Sequence, residues 1–253
     1  MCEYCGCGET DLKSHDANQT SVHVGESLLA ANDRIAEHNR EHFASSGVLA
    51  INLMGSPGSG KTAVLEATAR RLTGRRRLAA IAGDLETDRD ARRLRAAGIP
   101  STSVTTGSAC HLDAKMVHHA LHDPPWKDGL DLLFIENVGN LVCPAIFDLG
   151  QAANVVALSI TEGEDKPLKY PIMFRKADLV LLTKMDLHAA LPEFDVDALR
   201  DALSRVMPRP HLLLVSARSG QGFDDWIAWL ESRRRTRGVS AAHAHAASTH
   251  VHH

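Results

Sequence analysis

Short apolar runs and amphipathic helical patterns alternate along most of this chain of 253 residues. Seven runs rich in Val, Ile and Leu predict strands: LAINLMG, LAAIAGD, STSVTT, LDLLFIE, NVVALSI, ADLVLLT and HLLLVSA. Helical spacing separates most of them, at residues 61–73, 87–97, 111–122, 195–206 and 222–235. This alternation is typical of a mostly parallel sheet with helices on both faces, so the pattern predicts the α/β fold class.

The two ends of the chain lack this pattern. Residues 1–26 carry many Ser, Asn, Asp and Gly without an apolar period, which predicts a flexible arm. An amphipathic helix from Ser27 to about residue 46 leads into a single predicted domain over residues 27–237. Residues 238–253 are rich in Ala and His, and we expect this tail to be disordered. Its imidazoles could bind metal weakly, or the tail could be an inert end.

Composition narrows the class of partner. A net charge of -3 gives no electrostatic footprint for nucleic acid or for a membrane surface. No run of apolar residues approaches the length of a membrane span, and the start does not have the pattern of a signal peptide. We therefore expect a cytoplasmic protein, a compartment in which clustered cysteines more often bind metal or carry out redox chemistry than form disulfides.

A glycine-rich loop follows the first predicted strand. In LAINLMGSPGSGKT, the spacing of Gly55, Gly60, Lys61 and Thr62 completes the pattern G-x-x-x-x-G-K-[ST] between a strand and a helix. Glycines let backbone N–H groups surround phosphate oxygens, while the lysine supplies positive charge and the threonine hydroxyl reaches Mg²⁺. The predicted nucleotide-binding residues of this loop are Gly55, Ser56, Gly58, Ser59, Gly60, Lys61, Thr62 and Ala63.

Two carboxylates end predicted strands. Asp84 ends LAAIAGD and Glu136 ends LDLLFIE. Either is a candidate Mg²⁺ ligand beside Thr62, directly or through water, or could orient the attacking water. Together with Lys61 they are the predicted catalytic residues. The alternative is that Asp84 only caps the next helix and that Glu136 is only a polar residue at a strand end.

Two later segments indicate which base is bound. The usual guanine-recognition motif is Asn-Lys-x-Asp, and TKMD places Asp186 where its carboxylate would accept from guanine N1 and N2. The stem of Lys184 could lie along the ring, and Thr183 replaces the expected amide, which should weaken base contacts or local loop bonding. A second loop offers a backbone N–H for O6 and contains Ser216, Ala217 and Arg218. The sequence therefore predicts GTP rather than ATP.

The opening segment MCEYCGCG contains three of the five cysteines, Cys2, Cys5 and Cys7. A disulfide is disfavoured by the inferred compartment and would leave one cysteine over, and a redox CxxC normally begins a helix. Tetrahedral zinc would need a fourth ligand from elsewhere. Metal binding is favoured, and thiolates with an amine nitrogen suit the square-planar preference of Ni²⁺.

A second group of metal-ligating residue types is Cys110, His111 and Cys143. The first two follow a predicted strand, and Cys143 lies in the loop after Glu136. Spacing alone leaves two interpretations open. The three residues bind a metal, or they are a buried cysteine, a helix-capping histidine and a Cys-Pro helix start.

Several segments carry a family resemblance that covers about residues 1–235. The chain resembles the hydrogenase nickel-incorporation GTPases of the HypB family in CEYCGCG, NLMGSPGSGKT, GDLETDRDARRL, TTGSACHLDA, FIENVGNLVCPAIFDLG, LLTKMDL and VSARSGQGFDDWIAWL. The resemblance implies a dimerising P-loop GTPase of the SIMIBI type that hydrolyses GTP slowly and delivers Ni²⁺ to a [NiFe]-hydrogenase large-subunit precursor. It implies a nickel site at Cys2, Cys5 and Cys7 completed by the terminal amine. It also implies a Ni²⁺ or Zn²⁺ site at Cys110, His111 and Cys143 near the dimer interface.

The same resemblance implies partners, and a nucleotide cycle follows from it as a hypothesis. The partners are a second copy of the chain in a GTP- and metal-dependent homodimer, a HypA-like nickel protein and a peptidyl-prolyl-isomerase-like nickel chaperone. GTP would set the conformation of the loop from Glu136 to Cys143, and hydrolysis would release it and alter the metal site. Two alternatives remain. A urease-type, UreG-like nickel GTPase is disfavoured by the CxxCGC arm and CHLDA, and a metal-storage protein with a vestigial nucleotide site is disfavoured by the intact phosphate loop.

Overall fold

Seven strands form one sheet in which every pairing is parallel. The computed structural model describes residues 15–107, 109–122, 124–126 and 129–248, with side chains from 27 to 236. The strands are β1 (Leu49–Met54), β2 (Leu78–Asp84), β3 (Ser101–Thr105), β4 (Leu132–Glu136), β5 (Ala153–Ser159), β6 (Leu179–Thr183) and β7 (Leu212–Leu214). Their order across the sheet is β3-β2-β4-β1-β5-β6-β7. Strands β2 to β4 lie on one side of β1 and strands β5 to β7 on the other, so the strand order reverses next to β1, the usual place for a ligand cleft in such sheets.

Helices connect most of the strands. They are α1 (His15–Ser45), α2 (Lys61–Leu72), α3 (Arg89–Ala96), α4 (Ala114–His122), α5 (Lys166–Lys169), α6 (Pro171–Lys176), α7 (Val196–Val206) and α8 (Phe223–Ser248). Short 3₁₀ turns lie at Cys143–Ala145, Ile160–Glu162 and Met185–Ala190. α7 begins where the sequence predicts, because the Asp195 carboxylate accepts from the backbone N–H groups of Asp197 and Ala198.

Both faces of the sheet are covered by helices. On one face Leu49, Ile51 and Leu53 of β1 pack in a core with α2, α3 and α8, where the Trp226 indole donates to the Thr68 hydroxyl at 2.9 Å. On the other face α1 and α4 pack against β2 and β4, and α6 and α7 pack against β5 and β6. The α/β class predicted from the alternating pattern is confirmed, and all seven predicted strands are present.

Three segments differ from the sequence-based expectation. The leading helix, expected from Ser27, begins at His15, within the segment assigned to the flexible arm. α8 continues to Ser248, into the segment assigned to the tail; residues 238–248 are rich in Ala, the residue with the highest helix propensity. α5 and α6 were not predicted because each has a proline in its first turn, where proline is tolerated but reads as a helix breaker.

The chain divides into two units, residues 1–31 and 32–253, and every contact described below lies within the second. None of the helices formed by the described residues combines the length and apolar character needed to cross a bilayer. The carboxyl ends of the parallel strands all meet at one edge of the sheet, and the loops that leave this edge contain the predicted site residues that the structure describes.

Candidate nucleotide and metal site

The loop between β1 and α2 has a backbone that requires glycine. Gly55 has φ +144, and a Cβ there would lie 2.3 Å from the carbonyl oxygen of Ala157. Gly60 directly precedes α2 with φ +94, the left-handed region that favours glycine. Lys61 folds back, and its Nζ donates to the carbonyl oxygens of Gly55 and Ser56, both at 3.1 Å. The side chain therefore fixes the curved loop from inside.

A cleft of about 420 Å³ opens beside this loop. It is lined by residues of the loop, of the β2 end and of the segment after β4. The predicted site residues among them are Gly58, Gly60, Lys61, Thr62, Ala63, Asp84 and Glu136. Backbone N–H groups at the start of a 12-residue helix, next to a lysine, make this cleft suited to phosphate.

Oxygen atoms cluster at the base of the cleft around Thr62. Its hydroxyl lies 2.7 Å from Oε1 of Glu136 and 3.0 Å from Oδ1 of Asp90. The other carboxylate oxygen of Glu136, Oε2, is buried without a hydrogen-bond partner among the described residues. Oxygen ligands of this kind fit Mg²⁺, and the cation would give the orphaned Oε2 a partner.

Burial sets the protonation of the two charged groups here. It raises the pKa of Glu136 from 4.5 to about 7, although the Thr62 hydrogen bond and the charge of Lys61 oppose the rise. Burial also lowers the pKa of Lys61, against the attraction of Glu136, Asp90 and Glu162. Burial thus disfavours both the Glu136 carboxylate and the Lys61 ammonium. The site is suited to a ligand that compensates both charges, such as a phosphate group with a bound cation.

Asp84 holds the loop that follows β2. Its Oδ1 accepts from the backbone N–H groups of Glu86 and Thr87, at 3.0 and 3.2 Å, and its Oδ2 accepts from the Thr87 hydroxyl at 3.1 Å. Burial alone would raise the pKa of Asp84, but these hydrogen bonds lower it below its ordinary value. Asp84 therefore stays ionised beside the cleft. It does not cap α3, whose N-cap is Asp88.

A second cleft, of about 330 Å³, adjoins the start of α2. The predicted base-recognition residues that line it are Thr183, Lys184, Asp186, Ala217 and Arg218. Asp186 is oriented by the Ser216 hydroxyl, which donates to its Oδ1 at 2.6 Å. Lys184 has φ +60, a turn that separates the end of β6 from the Asp186 segment. The two clefts share Gly60 and Ala63, so a single ligand could occupy both.

Thr183 bonds to the phosphate loop. Its buried hydroxyl donates to the Ser59 carbonyl oxygen at 2.6 Å and lies 3.3 Å from that of Leu158. This bond to the phosphate loop offsets the weaker loop bonding expected from the missing amide. The Thr183 hydroxyl also lies close to Gly60, where an added Cβ would be 3.3 Å from it. Ser59 is fully buried, so its side chain lies away from the open cleft.

Cys110, His111 and Cys143 meet at the same edge of the sheet. One potential ligand atom from each residue lies within 4.8 Å of the other two. Among the described side chains, these three residues form the group of His, Cys, Asp or Glu that could hold a metal ion. The Cys110 thiol lies 2.8 Å from Sγ of Cys143 and 3.9 Å from Nδ1 of His111. The His111 ring stacks on Phe147 at 3.9 Å between centroids, and burial lowers its pKa against the pull of Asp113. A neutral imidazole and two half-buried thiols suit a borderline-soft cation such as Zn²⁺ or Ni²⁺.

Asn140 connects the phosphate loop to this cluster. It forms an antiparallel bridge with Gly55. Its side-chain oxygen accepts from the backbone N–H groups of Val142, at 2.7 Å, and Cys143, at 3.3 Å. One residue therefore contacts the first glycine of the phosphate loop and positions a candidate metal ligand.

A chain of three hydrogen-bonded amides, two of them buried, supports both sites. Asn137, directly after Glu136, accepts from the backbone N–H of Leu112 at 3.1 Å and donates to Asn52 of β1 at 3.1 Å. Asn52 in turn donates to Asn154 of β5 at 3.0 Å. Leu112 directly follows Cys110 and His111. Asn137, which follows Glu136, therefore also holds the segment that carries these two candidate metal ligands.

Sequence reasoning missed several of these residues. Asp90 bonds to Thr62, Phe147 stacks on His111, and Glu162 accepts from the Ser56 hydroxyl at 2.5 Å. Asp90 lies in the first turn of α3, where an acidic residue has an ordinary explanation in the helix dipole. The available signal was the repetition of acidic residues in GDLETDRD after a strand end. Cys2, Cys5 and Cys7 lie outside the described residues, so the predicted metal site of the arm stays a prediction.

Known proteins match most of the length of this chain. The family described as CobW/HypB/UreG, nucleotide-binding domain, matches residues 49–213. The hydrogenase maturation factor HypB of Azotobacter vinelandii is 53% identical over 216 residues, which cover 85% of this chain and 71% of that protein. The solved structure of HypB from Archaeoglobus fulgidus has 41% identity and a TM-score of 0.74, over 81% of this chain and 100% of that one. HypB from Helicobacter pylori, solved in complex with nickel, has 38% identity and a TM-score of 0.76, over 81% and 96%.

Proposed function

Because the chain belongs to the HypB family of the CobW/HypB/UreG group, we propose that it is a GTP-hydrolysing nickel metallochaperone. It delivers Ni²⁺ to the [NiFe]-hydrogenase large-subunit precursor in the cytoplasm. The names of its relatives and the nickel complex of one of them support this choice of cargo and target. The observation that carries the proposal is the Asn140 contact, since it joins a phosphate-binding loop to a candidate metal cluster.

Guanine is the base that the second cleft favours. Asp186 presents an acceptor-only carboxylate, held by Ser216, next to the loop of Ala217 and Arg218. Guanine offers two adjacent donors, N1–H and N2–H, to such a carboxylate, whereas adenine has no such pair. Adenine would leave this carboxylate without donors from the base, so the arrangement favours GTP over ATP.

The first cleft is the proposed site of hydrolysis. Lys61 leaves the two loop carbonyls to contact the β- and γ-phosphates, and Thr62, Glu136 and Asp90 are the residues that would hold Mg²⁺. The cation, when bound, would neutralise charge on the phosphates as the γ-phosphoryl group leaves. Asp84, ionised and facing the cleft, is the candidate to bind the attacking water or a metal-bound water. The chemistry that these residues supply is charge neutralisation and positioning.

Coupling to the metal follows from the loop between Glu136 and Cys143. Gly139 packs so close to Pro57 of the phosphate loop that a Cβ would lie 2.8 Å from its backbone nitrogen. Movement of the phosphate loop on nucleotide binding is therefore transmitted to Gly139 and Asn140, and from Asn140 to the backbone of Cys143. If the bound nucleotide changes the affinity for the metal, the bound metal changes the affinity for the nucleotide by the same factor.

Assembly completes the proposal. The protein forms a homodimer that depends on GTP and metal, and it exchanges nickel with a HypA-like nickel protein and a peptidyl-prolyl-isomerase-like nickel chaperone. Cys2, Cys5 and Cys7 form the tight nickel site of the arm, and Zn²⁺ competes for Cys110, His111 and Cys143. These partners and the arm site rest on the family resemblance.

The first experiment measures GTP turnover. The wild type should hydrolyse GTP slowly, and Lys61→Ala should lose turnover, with Lys115→Ala as a matched control on an exposed lysine of α4. No turnover by the wild type, together with no nucleotide-dependent dimerisation, would favour the storage alternative and reject the GTPase proposal.

The second experiment measures nickel binding. Ni²⁺ is titrated into a variant in which the three arm cysteines are replaced by Ala, with a GTP analogue, with GDP and with no nucleotide. Affinity should differ among the three states and should fall strongly in Cys143→Ala. Equal affinity in all three states would reject the coupling. A further titration of the intact chain against one lacking residues 1–8 tests the arm, whose tight site should disappear.

A further inference from the structure

We propose that His118 and His122 form a second transition-metal site, a two-imidazole chelate on the surface of α4. The two residues are four apart in this helix, so their side chains lie on the same face. Nε2 of His122 lies 2.9 Å from Nε2 of His118. Paired histidines at this helical spacing are a known way of presenting two nitrogen ligands to one ion.

Asn39 fixes the tautomer of His118. The Asn39 side chain is fully buried, and its Nδ2 donates to the carbonyl oxygens of Ala114 and Leu149 at 2.9 and 3.2 Å. These two acceptors leave one orientation of the amide, with Oδ1 facing Nδ1 of His118 at 3.2 Å. Nδ1 must therefore carry the proton, and the lone pair of the ring lies on Nε2.

This arrangement is the one found around metal-binding histidines. A ligating imidazole generally donates its second ring N–H to a carbonyl or carboxylate, which orients the ring and raises the basicity of the ligand nitrogen. His118 already has this support from Asn39. Burial, together with the neighbouring imidazoles His122 and His38, lowers the pKa of His118, which keeps its Nε2 lone pair available at neutral pH.

His122 supplies the second ligand. Because the lone pair of His118 lies on Nε2, the 2.9 Å contact between the two Nε2 atoms requires Nε2–H of His122 to be the donor, and His122 is exposed. Moving its proton to Nδ1 costs one hydrogen bond and leaves two Nε2 lone pairs close together. An ion bound there replaces that hydrogen bond, and water completes the coordination.

The ligand chemistry selects the class of ion. Imidazole suits Cu²⁺, Ni²⁺ and Zn²⁺ and disfavours Mg²⁺, and Cu²⁺ should bind most tightly in the usual order of stability. With two protein ligands and an exposed position, the ion should exchange quickly. The site involves neither Cys110 nor Cys143, so it does not depend on the proposed function.

The test uses the full chain with all five cysteines replaced by Ala, after circular dichroism has shown that it is folded. Ring-¹⁵N-labelled protein is titrated with Ni²⁺, and the broadening of each imidazole signal is followed by NMR. The matched pair is His122→Asn and His119→Asn. His119 is also exposed on α4, but its ring centroid lies 6.3 Å from that of His118.

We expect low Ni²⁺ to broaden the His118 and His122 signals together. In His122→Asn the Ni²⁺ concentration needed to broaden the His118 signal should rise at least about tenfold, because loss of even an outer-shell partner of a metal ligand costs about 10–100-fold in affinity. His119→Asn should behave like the parent. The histidines of residues 243–253 give a background shared by both variants. Equal effects of the two substitutions, or broadening that spares His118, would overturn the proposal.

Discussion

Replacing Glu136 by Gln should stabilise the nucleotide-free protein relative to the wild type as the pH rises. Burial raises the pKa of this carboxyl from 4.5 to about 7, so the folded state binds its proton more tightly than the unfolded state. That preference stabilises the wild type below the unfolded pKa and is lost as the pH rises through the folded pKa. Gln is neutral throughout and keeps an oxygen that can accept from Thr62.

The size of the effect follows from the shift. A rise from 4.5 to about 7 corresponds to about 3 kcal/mol over the full titration. Between about pH 5.5 and about pH 8.5, the free energy of unfolding of Glu136→Gln minus that of the wild type should increase by about 2 kcal/mol.

The assay is urea denaturation in EDTA at these two pH values. Glu231→Gln is the control: side-chain hydrogen bonding and charge from Arg76 lower the pKa of Glu231, so its contribution to stability is lost only at more acidic pH and should be constant in this window. If the Glu136→Gln difference were the same at both pH values, Glu136 would be ionised throughout and the inference from burial would be wrong.

Three further predictions concern the nucleotide site. Binding of GTP with Mg²⁺ should release more protons near neutral pH from the wild type than from Glu136→Gln, since the carboxyl must ionise; calorimetry in two buffers of different ionisation enthalpy measures this, and equal release would contradict it. Gly55→Ala should abolish binding of labelled GTP because its Cβ would lie 2.3 Å from a β5 carbonyl oxygen. Gly58→Ala has the strain of a left-handed backbone, φ +75, but its Cβ meets nothing within 4 Å, so it should lose less. Similar losses in both would reject the steric argument. Thr183→Val should lower the free energy of unfolding by about 1–3 kcal/mol, because the buried Ser59 carbonyl loses its donor; superimposable urea curves would show that the bond is unimportant.

The sheet was predictable because its strands are short, apolar and separated by helical spacing. β1 and β4 are buried throughout, so their sequences have the continuous apolar character of central parallel strands. The phosphate loop was predictable for a different reason: its glycines have conformations that few other residues adopt. The helical parts of residues 15–26 and 238–248 were not, since neither has an apolar period.

Within the site, motif residues were found and their supporting residues were not. Cys110 and Cys143 could be nominated by residue type, but only the fold brings their sulfur atoms within 2.8 Å. Asn140 and Asp90 are ordinary loop and helix-start residues in the sequence, and their roles depend on partners more than twenty residues away. Contacts of this kind depend on how strand ends meet at one edge of the sheet, which hydrophobic periodicity does not encode.

The hydrogen-bonded amides of Asn52, Asn137 and Asn154, of which the first two are buried, have a consequence for how this protein can change over evolution. Asn52 and Asn137 each donate to one side chain and accept from another group, so a single apolar replacement would leave unsatisfied polar groups in the core. Substitutions at these positions should therefore be strongly epistatic, and a double-mutant cycle between Asn52 and Asn137 should show a large non-additive energy. We expect these three positions to change in concert, as a set of compensating replacements, or to stay the same while the loops above them diverge.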